Sequence, residues 1–341
     1  MLAGISGWHT AENQGVNNVL AAQDSFKNPI ADGADPWVIK SGEYYYTCRS
    51  KAGQIMVSKS KKLTEIGPAK VVWKSPVKSW NSKTVWAPEL HQIGKKWYIY
   101  YAAGQSGPPF IYQRSGVLES VTDDPQGEYV DKGMLKTGDD NADPSKTIWA
   151  IDLTVTSING KLYAAWSGWE RNATTDKTSQ HLYIARMSNP VTISSQRVKI
   201  SSPDQPWERG GPLDLNEGPQ FLKNKGNTFI IYSARESWTP EYRLGQLKLK
   251  DSTRVILDAK NWIKSGPVFQ GTPQVLGTGH ASFTTSPDGK EWWIFYHSKK
   301  ESSPGWNRDL RLQQFSWDAK GNPVFGIPVV AGTLIKKPGG E

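Results

Sequence analysis

One pattern of polar and apolar residues occurs five times along the chain. Each copy begins with a polar residue, passes through a turn that contains glycine, and ends in a run of aromatic and β-branched residues typical of a buried strand. The copies begin at Ala34, Ala87, Ile151, Glu217 and His280. Their turn glycines, spaced 52 to 66 residues apart, are Gly42, Gly94, Gly160, Gly226 and Gly289. A hairpin that recurs at this period predicts a repeat architecture.

Two further strand segments follow each hairpin. The third strands are predicted at Gln54–Ser60, Ile111–Glu119, His181–Met187, Tyr242–Leu249 and Leu310–Trp317. The fourth, outer strands are predicted at Val71–Lys74, Glu128–Met134, Val198–Ser201, Val255–Ala259 and Val324–Val329. Four strands per repeat are typical of a propeller blade, whereas a β-sandwich has strands at about 8–12-residue spacing without a long period. The pattern therefore favours an all-β fold, a five-bladed β-propeller.

A single domain accounts for the 341 residues. The stretches rich in proline and glycine are short and lie within or between repeats or at the end of the chain, so no linker divides it. We predict an N-terminal segment over residues 1–27, the propeller over residues 28–330 and a C-terminal tail over residues 331–341.

Composition and charge narrow the range of partners. The 16 Trp, 13 Tyr, 32 Gly and 22 Pro suit many short strands and turns. The net charge is +9, but the basic residues are scattered and no nucleic-acid fold motif is present, so no nucleic-acid partner is expected. No stretch reaches the roughly 20 apolar residues of a membrane span, and the single cysteine, Cys48, excludes an intrachain disulfide. We expect a secreted monomer whose signal peptide is not part of this chain.

Polar residues stand at the start of each copy, although in a propeller the innermost strand of each blade lines a central channel. They are Asp35, Glu89, Asp152, Glu217 and His280. Buried charge is costly, so an acid or an imidazole at this point of every repeat favours a functional site over a tolerated strand end. Convergent carboxylates push their pKa values apart, as an acid and a base working side by side require. The pattern predicts glycosidase chemistry.

Aromatic side chains near these carboxylates are candidates for sugar binding, because the C–H faces of sugar rings pack on aromatic rings. Most tryptophans are expected in the core. Trp86 is the first candidate because it precedes the second copy, and Trp37 and Trp166 are further ones. Glu89 is a polar candidate for the same role. Arg311, on the third strand of the last copy, is the candidate guanidinium for sugar hydroxyls and charge balance.

Five segments in order resemble glycoside hydrolase family 43, from Asn28 to about Pro328. They are Asn28-Pro29-Ile30 leading to Ala34-Asp35-Pro36, Trp86-Ala87-Pro88-Glu89-Leu90-His91, Ala150-Ile151-Asp152, Asn216-Glu217-Gly218-Pro219 and Gly279-His280. The resemblance implies a five-bladed propeller that inverts anomeric configuration. It implies Asp35 as general base, Asp152 as the residue that tunes pKa and orientation, and Glu217 as general acid. In an inverting enzyme the carboxyl groups of base and acid lie about 6.5–9.5 Å apart.

The resemblance also bears on metal binding and substrate. His280 matches the family's central histidine, often linked through water to a calcium or sodium ion, although one imidazole is not a calcium site and no cofactor is required. Arg311 is the closest match to the family's sugar-contacting arginine, with Arg308 as its rival. The motifs are most similar to those of α-L-arabinofuranosidases, which act on arabinan, arabinoxylan or arabino-oligosaccharides of the plant cell wall. The alternatives are a β-xylosidase, an endo-arabinanase and a carbohydrate-binding propeller without catalysis.

Overall fold

The chain folds as an all-β, five-bladed β-propeller in a computed structural model that describes residues 23–138, 147–250 and 255–341. Two short strands precede the blades, β1 (Ser25–Lys27) and β2 (Ala31–Asp32). Blade 1 contains β3 (Trp37–Ser41), β4 (Tyr44–Lys51), β5 (Gln54–Ser60) and β6 (Ala69–Lys74). Blade 2 contains β7 (Lys83–Ile93), β8 (Lys96–Gly104), β9 (Arg114–Ser120) and β10 (Tyr129–Met134).

The remaining blades follow in chain order. Blade 3 contains β11 (Ala150–Ile158), β12 (Lys161–Gly168), β13 (His181–Asn189), β14 (Thr192–Ile193) and β15 (Val198–Ser201). Blade 4 contains β16 (Asn216–Asn224), β17 (Asn227–Ala234), β18 (Arg243–Leu249) and β19 (Trp262–Gln270). Blade 5 contains β20 (Leu276–Thr285), β21 (Trp292–Lys299), β22 (Arg308–Trp317) and β23 (Pro323–Val324), and β24 (Leu334–Lys336) ends the series. In the part of the chain that the structure describes, 3₁₀ helices cover Pro206–Glu208 and Ala259–Asn261.

The first strand of each blade lies at the centre of the ring. The strands β3, β7, β11, β16 and β20 contact one another in a closed cycle, and the later strands of each blade lie progressively further out. All pairings within the blades are antiparallel. The residues that begin the inner strands therefore converge from five directions on one axis.

The core lies between blades, with an apolar cluster at every junction of neighbouring blades. The second strand β8 shows how one strand serves two of these clusters. Tyr98 and Tyr100 pack with residues of blade 3, whereas Ile99 packs with residues of blade 1. Because successive side chains of a strand point to opposite faces, a strand buried on both faces reads as a continuous apolar run. That is the aromatic run that recurs in the sequence.

The ring is closed by residues from both ends of the described chain. Strand β2 pairs with β22 and supplies an outer strand of blade 5, and β1 pairs with β24. The side chain of Asn28, buried between these strands, donates to the carbonyl of Leu312 and accepts from its N–H, both at 2.9 Å. Ser25–Lys27 of the predicted N-terminal segment thus pairs with Leu334–Lys336 of the predicted C-terminal tail.

The predicted third strands all match observed strands to within a few residues, but two outer strands were wrong. In blade 4 the outer strand is β19, not Val255–Ala259, because a 3₁₀ turn capped by the Asp258 side chain precedes it. In blade 5 the predicted strand Val324–Val329 reduces to the two residues of β23, since β2 takes that edge of β22. No helix among the described residues is long and apolar enough to cross a membrane.

Candidate active site

One residue near the start of each inner strand has a left-handed backbone conformation. These residues are Asp35 (φ 50°), Ala87 (φ 40°), Asp152 (φ 54°), Gly218 (φ 54°) and His280 (φ 48°). In blades 2 to 5 the pairing with the second strand shifts register at this point, as in a β-bulge. A bulge re-aims side chains, and non-glycine residues held in this conformation cluster at functional sites. The repeat therefore carries a strained backbone feature at the same place in every blade.

In two blades, the residue with the left-handed backbone is not the polar residue that the sequence repeat places at the start of the copy. In blade 2 the equivalent residue is Ala87, two residues before Glu89. In blade 4 it is Gly218, directly after Glu217. A side chain at Gly218 would place its Cβ 3.1 Å from Nδ1 of His280, so glycine relieves both the strain and the crowding here.

The bulged segments of the inner strands line a cavity of about 730 Å³. The polar part of this lining includes Asp35, Asp152, Glu217, His280 and Arg308. The apolar part includes Trp86, Phe110, Trp149, Ile151, Trp238 and Trp306. A concave, largely apolar site with a few convergent polar groups is the usual form of a small-ligand site. The structure thus brings the three predicted carboxylates into one cavity.

Asp35 is held by three basic side chains. Nη1 of Arg308 donates to its Oδ1 at 3.1 Å, and Nδ1 of His280 and of His297 lie 3.5 and 3.4 Å from the same oxygen. Burial alone would raise the pKa of this carboxyl, but the charge of Arg308, aided by His280, holds it well below its usual range. Asp35 is therefore an anion at any working pH.

Glu217 has the opposite surroundings. Its carboxyl group accepts a hydrogen bond from the hydroxyl of Tyr242 at 2.9 Å, and the residue is only 8% exposed. Burial raises the pKa of Glu217; the Tyr242 hydrogen bond opposes part of this rise, and the negative charge of Asp35 adds to it. Glu217 therefore tends to keep its proton where Asp35 has lost its own.

Asp152 stands beside the same bulge. Its Oδ2 accepts a hydrogen bond from the backbone N–H of Gly218 at 3.0 Å. Gly218 directly follows Glu217 in the chain, so this bond anchors the carboxyl of Asp152 to the segment that carries Glu217. Burial raises the pKa of Asp152, and the charges of Glu217 and Asp35 raise it further. The two buried acids Asp152 and Glu217 thus share a region where adding negative charge is costly.

Two residues that support the carboxylates were not found from the sequence. Tyr242 and His297 stack with ring centres 5.3 Å apart and planes at 11°. His297 accepts at Nδ1 from the backbone N–H of Asp35 at 3.1 Å, and burial lowers the pKa of its imidazole to about 3, so the ring is neutral. This stack joins the carboxyl of Glu217 to the backbone of Asp35. Its only sequence signal was membership of the predicted strands.

Of the residues predicted to bind sugar, Trp86 lines the cavity, where its ring packs edge-on against Phe110 at 4.9 Å. Glu89 does not line it. The carboxyl of Glu89 is buried, accepts from Gln220 and lies 2.9 Å from Nε2 of His91. Burial raises its pKa to about 8, although hydrogen bonds with Thr154 and Gln220 oppose the rise.

Three further sugar-binding predictions are not supported by where the side chains lie. Trp37 donates from its indole N–H to the carbonyl of Leu90 and packs on His91 outside the cavity. Trp166 is fully buried between blades 2 and 3. Arg311 is buried in an ion pair with Asp309, its Nε lying 3.0 Å from Oδ1 of that residue.

Arg308 is the arginine of the cavity. Residues three apart on a strand point to opposite faces, so β22 presents Arg308 to Asp35 while Arg311 shares the other face with Asp309. The geometry therefore favours Arg308 over Arg311 as the arginine that faces the substrate.

The fit of a metal ion near His280 can be judged from the surrounding donors. Across residues 23–138, 147–250 and 255–341, no group of three or more His, Cys, Asp or Glu side chains is arranged to hold a metal. Calcium takes about six to eight oxygen ligands, so a cation beside His280 would depend mainly on water. The described side chains do not form a protein cage for it.

Comparison with known proteins decides the family. The model for glycosyl hydrolases family 43 matches residues 26–323. The chain belongs to glycoside hydrolase family 43. It is 35% identical over 324 residues to the extracellular exo-α-(1→5)-L-arabinofuranosidase of Streptomyces avermitilis, a match that covers 90% of this chain and 64% of that protein. It is 33% identical over 320 residues to α-L-arabinofuranosidase 43 of Humicola insolens, covering 89% and 63%. The chain thus spans just under two thirds of the length of these relatives.

Solved structures agree with the family 43 assignment. An α-L-arabinofuranosidase from Lactobacillus brevis is 30% identical, with a TM-score of 0.81 over 92% of this chain and 99% of that one. A thermostable family 43 glycoside hydrolase, at 23% identity and a TM-score of 0.73, shares the fold. The family resemblance inferred from the five motif segments is confirmed, as is the propeller fold.

Proposed function

We propose that this family 43 hydrolase is an inverting α-L-arabinofuranosidase. The observation that carries the proposal is that Asp35, Asp152 and Glu217, from three blades, line one cavity. The pKa of Asp35 is lowered and the pKa of Glu217 is raised. Arg308 stabilises the anion of Asp35, while burial and the charge of Asp35 favour the protonated form of Glu217. An acid and a base that coexist at one pH are what glycoside hydrolysis needs.

In the proposed reaction Asp35 removes a proton from a water molecule as the water oxygen bonds to the anomeric carbon. Glu217 gives its proton to the glycosidic oxygen as the bond between that oxygen and the anomeric carbon breaks. The products are a free pentose of inverted configuration and the alcohol of the leaving group. Asp35 then returns its proton to solvent and Glu217 regains one, so the cycle closes without a covalent intermediate.

Asp152 is proposed to support Glu217 rather than to exchange protons with the substrate. Its carboxyl is anchored by the N–H of Gly218, the neighbour of Glu217. Negative charge on Asp152 would favour the protonated form of Glu217, because two nearby carboxyls resist ionising together. This is the modulating role that the family resemblance implies.

The names of the relatives support the choice of arabinofuranoside as substrate. Two Streptomyces proteins, at 35% and 31% identity, are named extracellular exo-α-(1→5)-L-arabinofuranosidases. We infer that the chain acts from the end of arabinan or on arabinofuranosyl side chains of plant polysaccharide or oligosaccharide. By the same likeness we propose that it works outside the cell.

A substrate panel tests the proposal. The purified protein is assayed with an aryl α-L-arabinofuranoside, an aryl β-D-xyloside and linear arabinan. Turnover is expected on the arabinofuranoside, with the β-anomer of arabinose appearing first in proton NMR spectra. Preference for the xyloside, cleavage confined to the interior of the polymer, or the α-anomer as first product would each contradict the corresponding part of the proposal. Sugar binding without turnover would instead indicate a non-catalytic propeller.

A further inference from the structure

Two tryptophans from different blades form a wall on one side of the cavity. Trp238 lies in the loop between β17 and β18, and Trp306 lies in the loop between β21 and β22. Their ring centres are 5.3 Å apart with planes at 49°. Trp306 is 61% exposed, although exposing an indole to water is unfavourable. A single exposed aromatic residue needs no explanation, but a facing pair beside converging carboxylates points to ligand contact.

The wall is fixed by hydrogen bonds within the protein. The backbone N–H of Gly305 donates to the carbonyl of Trp238 at 2.9 Å, which ties the two loops together. Nζ of Lys299 donates to the carbonyl of Gly305 at 2.7 Å, and the N–H of Lys300 donates to the carbonyl of Asn307 at 3.1 Å. Because both loops are ordered in advance, a ligand that packs on them has less ordering entropy to overcome.

Trp238 is connected to the pair of strands that carries the proposed acid. Glu217, the proposed acid, gives its proton to the leaving oxygen, and its strand pairs with β17, the strand that leads into Trp238. The guanidinium of Arg308 lies 5.5 Å from the ring centre of Trp306 and also binds Asp35. The wall is therefore connected to the proposed acid through Trp238 and to the proposed base through Trp306, and a ring held against it would lie in the same cavity as both carboxyl groups.

The cavity has room for more than one sugar ring. Cavities of roughly 300–1,000 Å³ hold ligands of several rings, and this one measures about 730 Å³. A single pentose next to Asp35, Asp152 and Glu217 leaves the part lined by Trp238 and Trp306 open.

We propose that Trp238 and Trp306 form a leaving-group subsite that binds the sugar ring on the far side of the scissile bond. This inference rests on the proposed arabinofuranosidase activity. The indole faces offer apolar contact to the C–H face of a sugar ring, and two cations that also line the cavity, Lys177 and Arg308, lie over the rings of Trp238 and Trp306. The subsite contributes to binding of a disaccharide or longer chain and not to binding of the pentose that is released.

The test compares two substrates that share the released pentose. α-1,5-Linked arabinobiose has a sugar as leaving group, whereas methyl α-L-arabinofuranoside has none. Trp306→Ala is expected to raise KM for arabinobiose about three- to tenfold, the range of one aromatic packing contact, and to leave both constants for the methyl glycoside unchanged. Trp306→Phe should retain most of the affinity for arabinobiose, and Trp238→Ala should show the same selective loss as Trp306→Ala.

Val77→Ala is the control, since Val77 is 92% exposed and does not line the cavity; it should change neither substrate. An equal loss on both substrates in Trp306→Ala would overturn the inference, because the ring would then act through Arg308 and Asp35. No loss on either substrate would also overturn it. If the unmodified protein cleaves neither arabinofuranoside, the proposed function fails first, and this inference fails with it.

Discussion

Asp35 and Glu217 are both carboxylates near the start of an inner strand, yet their surroundings differ in charge. Asp35 contacts the guanidinium of Arg308 and the imidazoles of His280 and His297. Glu217 contacts a neutral donor, the hydroxyl of Tyr242. The pKa of the first carboxyl is lowered and that of the second is raised.

The difference shows that the side chains around each carboxyl group, and not its position in the repeat, determine whether it acts as base or as acid. All three basic partners of Asp35 come from blade 5, across the junction that β2 helps to close. Glu217 has its hydrogen-bond partner in its own blade, just before β18. A repeated backbone bulge thus supplies the positions, while side chains that are not repeated decide which carboxyl is the base and which the acid.

The largest expected effect separates these two roles by chemistry. Glu217→Gln should lose about two to four orders of magnitude of kcat on natural linkages, the usual span for removing a general acid. On a dinitrophenyl arabinofuranoside, whose leaving group hardly needs a proton, the loss should be much smaller. Asp35→Asn removes activation of the water and should fail on both substrates alike. The measurement is kcat on each substrate.

The reverse result would exchange the roles. If Glu217→Gln were equally impaired on both substrates while Asp35→Asn recovered on the activated one, the comparison between the two carboxyls would be refuted. Circular dichroism of each variant provides the control for folding.

A smaller effect is expected from Arg308, which faces Asp35. Its charge lowers the pKa of Asp35 and also that of Glu217. In Arg308→Gln both pKa values should rise, so the acid and basic limbs of the profile of kcat/KM against pH both move to higher pH, by about one unit or more for Asp35. Arg308→Lys keeps the charge and should shift the profile less; an unmoved acid limb in Arg308→Gln would remove Arg308 from the account of Asp35.

How far the sequence predicts this architecture depends on whether a feature is local. The five hairpins and all five third strands follow from apolar periodicity, because each is defined by a contiguous run of residues. The outer strand of blade 5 does not, since β2 reaches β22 from a position almost 280 residues earlier in the chain. In blade 4 the turn at Asp258 separates Val255 from β19, and nothing in the apolar pattern marks that turn.

The same limit applies to the site. Asp35, Asp152 and Glu217 were predicted from motif positions, and the structure places all three in the cavity; their roles stay proposals. Tyr242 and His297 were missed because they act through a ring stack between blades 4 and 5, a contact that no single repeat contains.

Tyr242→Phe should produce a still smaller change, restricted to one limb of the pH profile. The Tyr242 hydroxyl lowers the pKa of Glu217 by stabilising its anion. Without it, the pKa of Glu217 rises and only the basic limb moves to higher pH, with a loss of kcat of a few-fold at most. Tyr45→Phe, which removes a hydroxyl bonded to the carbonyl of Thr285 away from the cavity, is the matched control. A shift of the acid limb in Tyr242→Phe would show that the stack with His297 acts on Asp35 instead.

The smallest effect on activity is expected at Glu89, a buried carboxyl with neither the cations of Asp35 nor a place in the cavity. Burial raises its pKa to about 8, so it keeps a proton in the folded protein that the unfolded chain releases above about pH 4.3. Unfolding therefore releases a proton between those two values, and the free energy of unfolding falls as pH rises through that window.

Glu89→Gln removes this proton equilibrium while keeping the shape of the side chain. Its activity on arabinobiose should match that of the unmodified protein. The difference in Tm between Glu89→Gln and the unmodified protein should change steadily in favour of Glu89→Gln from pH 5 to pH 8. Glu43→Gln, on a carboxylate exposed at the surface, should show no such trend. A large increase of KM in Glu89→Gln would restore Glu89 to the sugar site where the sequence pattern first placed it.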